Sequence, residues 1–464
     1  MSVPSTAAAP VPPPTPLFTL RGTQASVTCL AFLSPPPPPA TPAPASPASP
    51  PSPPPPPTRW LAAGDARGRV QVWDVQTCRV VQSWPAHEQA VLALIALPGG
   101  AFASQGRDHA IHRWALADGR RRYDEQPVES LLTSSLTFCR MAAAVVPPSR
   151  PPRGPPRAGG RHVAEHVYLA YPNVQEENRV DVADWGRRRR VVRTRVGPDP
   201  EASMAAAAAA ATGRSERREG ALLSMALIVS PLTASAETAP PVGHDHEAAP
   251  PPTDARLLLL CGYESGAVAG WRVSDGTCVF RHVLGPDPIT ALLPRPAPPP
   301  TSPPSLKLEI GTASDLLYHV ALVDVATSDG EPPALVGPMR VAHVRASERW
   351  GAPGTAQLAS RPPGRLLVAA GWDGRLRLWK TARYQLLGVL PGHTAHVNDV
   401  VFWSDPSFPT DSAVDGAVAA TTATLPGTTP VRSRIPWDSS LMASASQDMT
   451  IRLWSIYPTT TAPR

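Results

Sequence analysis

Two sets of polar residues in this 464-residue chain have the composition of a catalytic triad. In each set a His comes first, Asp lies four positions after Ser, and Trp lies six positions after Asp. The two sets are His87, Ser104, Asp108, Trp114 and His393, Ser444, Asp448, Trp454. A serine hydroxyl becomes a nucleophile when an imidazole, oriented by a carboxylate, accepts its proton.

A structural role explains the same residues better. Neither Ser lies in the G-x-S-x-G turn that exposes a nucleophile in hydrolases. We therefore expect a buried chain in which Asp accepts from His, His reaches the Ser hydroxyl, and Ser accepts the indole N–H of Trp. The chain contains seven repeating units, described below and called blades 1 to 7 in chain order. Blades 1, 4 and 6 break this set, since Arg67 and Ser265 replace Asp, and Ala369 replaces the Ser that would precede Asp373. We expect apolar packing to hold those blades.

Short alternating strands must position these residues, and six of them carry a Trp near the end. They read RVQVWDV at 69–75, AIHRWAL at 110–116, RVDVADW at 179–185, AVAGWRV at 267–273, RLRLWKT at 375–381 and TIRLWSI at 450–456. Four of them follow a turn of Gly and Asp type, namely GDARG, QGRDH, GWDGR and SQDMT. This pattern is typical of four-stranded propeller blades of the WD40 type, which repeat every 40 to 45 residues or so.

Seven blades fit the chain once the low-complexity stretches are set aside. Those stretches are 34–58, 147–161, 197–220, 233–255, 296–304 and 405–438. Without them and the first 16 residues, about 45 residues remain for each of seven blades. We predict an all-β, seven-bladed WD40 propeller over 17–464, preceded by a disordered N-terminus at 1–16. The stretches are predicted to be disordered insertions, because Pro-rich segments bury too little apolar surface to order themselves.

The blade assignment has further consequences. The innermost strand of blade 3 is predicted at 130–138 (SLLTSSLTF), and blade 5, which lacks the Trp, is predicted around 311–324. Residues 17–20 should pair as the outer strand of blade 7 and close the ring. Five insertions, all but 197–220, fall between the first and second strands of a blade and should emerge on one face.

The opposite face is the better candidate for binding a partner. We call it the short-loop face; it consists of the second-to-third-strand turns and the outer-to-inner connections. Trp372, Arg107 and Gln447 occupy the same position in these turns, one before the turn Asp. Trp and Arg are enriched among interface hot spots, and Trp372 is the leading candidate. The alternative is that Trp372 only covers a neighbouring blade.

Composition excludes several other classes of protein. The net charge of +6 is mild, and the five Cys show no C-x-x-C spacing, so neither a zinc knuckle nor a disulfide framework is predicted. A phosphate-binding G-x-x-x-x-G-K-[ST] loop is absent, which argues against an ATPase. The apolar run at 221–232 is too short to span a bilayer. We predict a soluble protein that is not an enzyme, uses no cofactor and contacts nucleic acid only indirectly.

Three weaker motifs stay open. An acidic and His cluster at 244–247 has metal-ligand types, but a solvated polar patch explains it as well. The arginine run at 187–190 could contact nucleic acid or an acidic partner, or be plain surface. The Pro runs at 10–16 and 35–57 could serve as ligands of SH3 or WW domains, or reflect composition alone.

Several fragments resemble one particular family. They are WLAAGDARGRVQVWDVQTCRVVQSWPAHEQAVLAL, FASQGRDHAIHRWAL, LLVAAGWDGRLRLWKT and LMASASQDMTIRLWSIYP, and their order resembles that of the ASTRA-associated protein 1 family. Its animal counterpart is the guanine nucleotide-binding protein beta-subunit-like protein 1. The resemblance implies a nuclear scaffold linked to chromatin remodelling and to the biogenesis of PI3-kinase-like kinase complexes. Its implied partners are a kinase-like cofactor, AAA+ ATPases and a heterotrimeric cochaperone.

Two other functions are compatible with a propeller. A heterotrimeric G-protein beta-like signalling scaffold would need an N-terminal coiled-coil helix to hold gamma, which sixteen Pro-rich residues cannot form. A substrate receptor of a cullin-type ubiquitin ligase is the other alternative, since a propeller alone can dock an adaptor.

Overall fold

The structure is a computed structural model. It describes residues 14–34, 59–117, 122–146, 166–176, 178–185, 192–196, 220–229, 257–296, 305–323, 335–343, 354–362, 364–403 and 440–457. The described chain is almost entirely β-strand, arranged as seven four-stranded antiparallel sheets in a ring. The predicted seven-bladed propeller is therefore confirmed. The described residues include no helix with the length and apolar character needed to cross a membrane.

The blades follow each other in chain order, and the innermost strand of each comes first. Blades 1 to 3 consist of β2 (Val27–Leu33), β3 (Trp60–Asp65), β4 (Arg69–Asp74), β5 (Arg79–Pro85); β6 (Val91–Ala96), β7 (Phe102–Gly106), β8 (Ala110–Trp114), β9 (Glu129–Leu132); and β10 (Ala142–Val146), β11 (His166–Pro172), β12 (Val180–Asp184), β13 (Val192–Val196). A single 3-10 turn, Pro98–Gly100, lies between β6 and β7 among the described residues.

The second half of the ring repeats this plan. Blades 4 to 7 consist of β14 (Leu222–Val229), β15 (Leu257–Tyr263), β16 (Ala267–Arg272), β17 (Cys278–Val283); β18 (Ile289–Pro296), β19 (Ser305–Thr312), β20 (Leu316–Val323), β21 (Leu335–His343); β22 (Thr355–Arg361), β23 (Leu366–Gly371), β24 (Leu376–Lys380), β25 (Gln385–Leu390); and β26 (Val397–Phe402), β27 (Leu441–Ser446), β28 (Ile451–Ser455), β1 (Pro16–Leu20). Blade 5 thus forms as predicted, without the Trp.

The N-terminal strand closes the ring. β1 pairs antiparallel with β28, with Phe18 opposite Leu453 and Leu20 opposite Ile451. The last blade therefore combines the first strand of the chain with the last three, which confirms the predicted pairing of residues 17–20. Closure in this way removes a free radial edge, which would otherwise expose unpaired backbone groups.

The six Trp strands are the third strands of their blades, as expected. Tight turns precede them, and one residue in each turn has a positive φ angle. In blades 1 and 6 this residue is Gly68 or Gly374, at φ 79° and 77°. Blades 2 and 7 place His109 and Met449 there, at φ 62° and 61°, in a conformation that L side chains rarely adopt.

The predicted innermost strand of blade 3 is wrong. Residues 129–132 form the outer strand of blade 2, and the innermost strand of blade 3 is β10, with the sequence AAAVV. The alternation in 130–138 is real, and the buried set is Leu131, Thr133 and Ser135, whereas Leu132, Leu136 and Phe138 are exposed. Alternation alone does not say which of its two sets faces inward.

The strand order fixes which face carries the insertions. The stretches 34–58, 147–161, 233–255, 296–304 and 405–438 each join the first and second strands of a blade. The stretch 197–220 joins blade 3 to blade 4. Apart from their ends, these stretches lie outside the described residues, as do residues 1–13. Their predicted disorder therefore stays a prediction.

Candidate functional site

The polar set of blade 2 forms one continuous chain of hydrogen bonds. His87 Nδ1 lies 3.0 Å from both carboxylate oxygens of Asp108, and His87 Nε2 lies 2.7 Å from Ser104 Oγ. The indole N–H of Trp114 donates to the same hydroxyl at 2.8 Å. Burial alone would raise the pKa of Asp108, but hydrogen bonding to His87, its charge, and two backbone amides lower the pKa overall.

Blade 7 repeats this arrangement. His393 Nδ1 lies 2.9 Å from Asp448 Oδ2, and His393 Nε2 lies 2.8 Å from Ser444 Oγ. The Trp454 indole donates to Ser444 Oγ at 2.9 Å. Against the effect of burial, His393 and Thr450 hold the pKa of Asp448 well below its usual range.

Neither set has the access that a nucleophile needs. Ser104 and Ser444 are completely buried, and each hydroxyl is already shared between an imidazole and an indole. A substrate carbonyl could reach neither of them. Ligand atoms of His87, Asp108 and His112 also lie within 4.8 Å of one another, as in a metal site. Both ring nitrogens of His87 are occupied by Asp108 and Ser104, so this cluster has no free His87 nitrogen for an ion.

Blades without the complete set treat their buried polar groups in different ways. In blades 1 and 4 the indole N–H groups of Trp73 and Trp271 are buried, and neither finds a hydrogen-bond partner among the described residues. For blade 6 the expectation that apolar packing replaces the polar set is wrong. Its Asp373 is buried in a two-pronged ion pair with Arg377, at 3.0 and 2.6 Å.

Blade 5 has a polar network that its sequence did not reveal. Glu309 is completely buried and pairs with Arg295, with His319 at 3.2 Å and with the Tyr384 hydroxyl at 2.8 Å. Burial would raise the pKa of Glu309, but these neighbours lower it. Since Tyr384 belongs to blade 6, the network ties two blades together.

The three residues predicted to bind a partner line the same cavity. It has a volume of about 1070 Å³ and lies at the axis of the ring, because residues of all seven blades line it. Arg107, Trp372 and Gln447 are among them. Trp372 is half-buried and its ring lies against Gly354, where an added Cβ would be 2.3 Å from a ring carbon. The side chain thus packs on the chain entering its own blade and also faces the cavity.

Arg140 is a cavity residue that the sequence analysis missed. It precedes the innermost strand of blade 3 and reaches across the axis to donate to the carbonyls of Thr28, at 3.0 Å, and Asn398, at 2.9 Å. It also pairs with Asp399 at 3.2 Å. Burial raises the pKa of Asp399, and Arg140 counteracts that rise. An Asp within the apolar strand VNDVVFW was the available signal, because a buried carboxylate needs a cationic partner.

The remaining sequence candidates cannot be placed. The cluster at 244–247, the arginine run at 187–190 and the Pro run at 35–57 lie outside the described residues, as does most of the run at 10–16. Two other residues, Arg67 and Ser265, can be placed and lie in the turns of blades 1 and 4. In blade 1, Asp65 Oδ1 accepts the backbone N–H groups of Arg67 and Arg69.

The sequence is similar to a known repeat family and to several named proteins. The family described as "WD domain, G-beta repeat" matches residues 356–380 and 419–455. A mouse protein named guanine nucleotide-binding protein subunit beta-like protein 1 is 25% identical over 96% of this chain and 98% of its own. ASTRA-associated protein 1 of Schizosaccharomyces japonicus is 23% identical over 96% and 99%, and that of Verticillium alfalfae 23% over 86% and 87%.

The resemblance to ASTRA-associated protein 1 is confirmed. The likeness to ASTRA-associated protein 1 extends over nearly the whole propeller, so it is more than a shared WD repeat. Among solved structures, the Cps50 (Swd1) β-propeller domain of Myceliophteria thermophila matches with a TM-score of 0.53 at 14% identity, covering 96% of this chain and 100% of that one. At this identity the match supports the propeller fold alone.

Proposed function

We propose that this protein is a non-catalytic WD-repeat scaffold subunit of an ASTRA-like assembly, involved in chromatin remodelling and in the biogenesis of PI3-kinase-like kinase complexes. The observation that carries the proposal is the likeness to proteins named ASTRA-associated protein 1 across almost the full length of the chain. A closed ring of seven blades offers a rigid surface, which suits a subunit that holds others together.

The buried polar sets support a role without catalysis. In the tetrads of blades 2 and 7 the His, Ser and Asp side chains that acyl transfer would need are engaged in holding strands together. Such fully satisfied networks rigidify a fold. The chemistry of the assembly would therefore lie with its other subunits.

The partners expected are a kinase-like cofactor, AAA+ ATPases and a heterotrimeric cochaperone, in the nucleus. We propose that they bind the short-loop face, at the mouth of the axial cavity. Arg107, Trp372 and Gln447 line this cavity, and hot spots of interfaces are enriched in Trp and Arg because these side chains bury large areas with a polar handle.

Purification of the tagged full-length protein at its natural expression level tests this proposal. Quantitative mass spectrometry should find the kinase-like, AAA+ and cochaperone subunits together, and fluorescence of the tagged protein should be nuclear. Recovery of a cullin adaptor, or of a G-protein gamma subunit, in place of those subunits would contradict it.

A further inference from the structure

The connection between blades 2 and 3 exposes large apolar side chains and buries polar ones. It runs from the end of β9 across the short-loop face, and its large apolar side chains point to solvent. Leu132, Leu136 and Phe138 are 73%, 71% and 67% exposed. We call residues 132–138 the inverted segment. Three large apolar side chains in seven residues are an unusual surface for a connection, which is ordinarily polar.

Polar side chains hold the inverted segment in this orientation. Thr133 and Ser135 are buried, and their hydroxyls donate to the carbonyls of Pro172, at 3.0 Å, and Arg107, at 2.8 Å. The backbone N–H of Ser134 also donates to the Pro172 carbonyl, at 3.1 Å. The exposure of the leucines and of Phe138 is therefore built into the packing of blade 3 against blade 2.

This exposure forgoes a substantial free energy. Burying a Leu or Phe side chain fully is worth about 1.5 to 3 kcal/mol. Leu132, Leu136 and Phe138 each forgo most of this stabilisation, because they are mostly exposed. Val174, two residues after the Pro172 that Thr133 and Ser134 contact, is also half exposed. We call Leu132, Leu136, Phe138 and Val174 the apolar patch. Clusters of exposed large apolar side chains mark sites of protein association.

A cation borders the apolar patch. The Arg107 guanidinium lies 4.7 Å from the centre of the Phe138 ring and makes no ion pair with a carboxylate of the described chain. The adjacent Asp108 is engaged by His87 and by the backbone of Glu88. Both Arg107 and Phe138 also line the axial cavity, so the patch is continuous with the cavity mouth.

We propose, on the basis of the proposed function, that the apolar patch and Arg107 dock an acidic, hydrophobic segment of a partner subunit. Aliphatic or aromatic side chains of that segment cover the patch, and an Asp or Glu carboxylate pairs with Arg107 at the cavity mouth. Charge complementarity selects this occupant. A second copy of this chain, bound patch to patch, would present the same apolar side chains and Arg107, and none of these offers a carboxylate.

Peptide binding to the purified full-length protein tests the proposal. The probe is a fluorescent 15-residue peptide in which Leu and Phe alternate with Glu and Asp, and its twin carries Lys at every acidic position. Fluorescence anisotropy should show that the acidic peptide binds, that the Lys twin does not, and that added salt weakens binding. Arg107→Gln should weaken binding and reduce the salt dependence.

A pair of double variants separates the patch from general hydrophobicity. Leu136→Ser with Phe138→Ser should weaken binding of the acidic peptide at least about tenfold, since two anchors lose their burial. The matched control is Leu386→Ser with Leu387→Ser, which removes two exposed leucines from the outer strand of blade 6. This control should bind like the wild type. Equal melting temperatures of the two double variants would exclude unfolding as the cause.

Each contrary result overturns the proposal. Absence of acidic-peptide binding, preference for the Lys twin, or equal loss in both double variants would show that the patch is not this docking site. Sedimentation that finds a dimer dissociated by the patch variant would assign the patch to a second copy. The peptide assay needs no other subunit, so it can succeed where co-purification fails, and the two proposals can fail separately.

Discussion

Replacing Asp108 with alanine should lower the free energy of unfolding by about 1 to 3 kcal/mol, the cost of leaving buried polar groups unpaired. The carboxylate accepts from His87 Nδ1 and from the backbone amides of Glu88, at 3.0 Å, and Ala110, at 3.3 Å. Glu88 is exposed, so water can replace the carboxylate at its amide. The His87 side chain is fully buried, and its Nδ1–H would lose its only partner in the described chain. Most of the cost therefore arises at His87.

Thermal unfolding of three variants measures this effect. Asp108→Ala and Asp448→Ala should each lower the melting temperature, because Asp448 is likewise the nearest partner of His393 Nδ1, closer than Thr450 Oγ1. Asp275→Ala is the matched control; this exposed turn Asp pairs with Arg272 and should cost less than about 1 kcal/mol. Unchanged melting of both tetrad variants, or a loss equal to that of the control, would refute the structural role of the tetrads.

The same variants predict a pH dependence. The pKa of Asp108 and that of Asp448 are lower in the folded protein than their ordinary value near 3.8. A carboxylate with a lowered folded pKa stabilises the fold above its unfolded pKa, and this contribution is lost as the pH falls towards the folded pKa. The difference in melting temperature between wild type and either variant should therefore be constant near neutral pH and should narrow below about pH 4.

Three further substitutions test particular contacts by thermal or denaturant unfolding. Arg140→Ala should cost about 3 kcal/mol, because it leaves the Asp399 carboxylate buried without its cation, and a loss below 1 kcal/mol would contradict the ion pair. Met449→Gly should raise the stability by up to about 1 kcal/mol, since it relieves a positive φ angle at an exposed position; a decrease would argue against strain there. Ala63 occupies in blade 1 the position of Ser104 in blade 2, ten residues before the Trp. Ala63→Ser should therefore give the unpaired Trp73 indole an acceptor and stabilise the fold by about 1 kcal/mol, and destabilisation would refute that geometry.

The repeating part of the fold could be predicted from local sequence. A tight turn followed by a strand that ends in Trp occupies only about a dozen consecutive residues, and the pattern recurs in RVQVWDV and TIRLWSI. Spacing alone placed blade 5 and the closing strand at 17–20, because the ring leaves one position for each. The tetrad geometry followed from the same spacing, since strand register fixes which residues face each other.

Contacts between distant blades could not be predicted in this way. The inverted segment was misassigned because the inward orientation of Thr133 depends on the carbonyl of Pro172, which lies 39 residues away. The partners of Arg140 lie across the axis, 112 and 258 residues away in the chain. Neither pairing has a local sequence pattern, so only the closed ring brings these groups together.

Side-by-side co-purification of two tagged full-length variants tests the central claim that the short-loop face binds the partner subunits. The first combines Trp372→Ala with Arg107→Ala; the second, Leu386→Ser with Leu387→Ser, alters the outer edge of blade 6. We predict that the first variant loses the cochaperone and kinase-like subunits while its melting temperature stays within a few degrees of the wild type, and that the second retains them. Full recovery of both subunits by the Trp372 and Arg107 variant, or a loss accompanied by unfolding, would contradict the account.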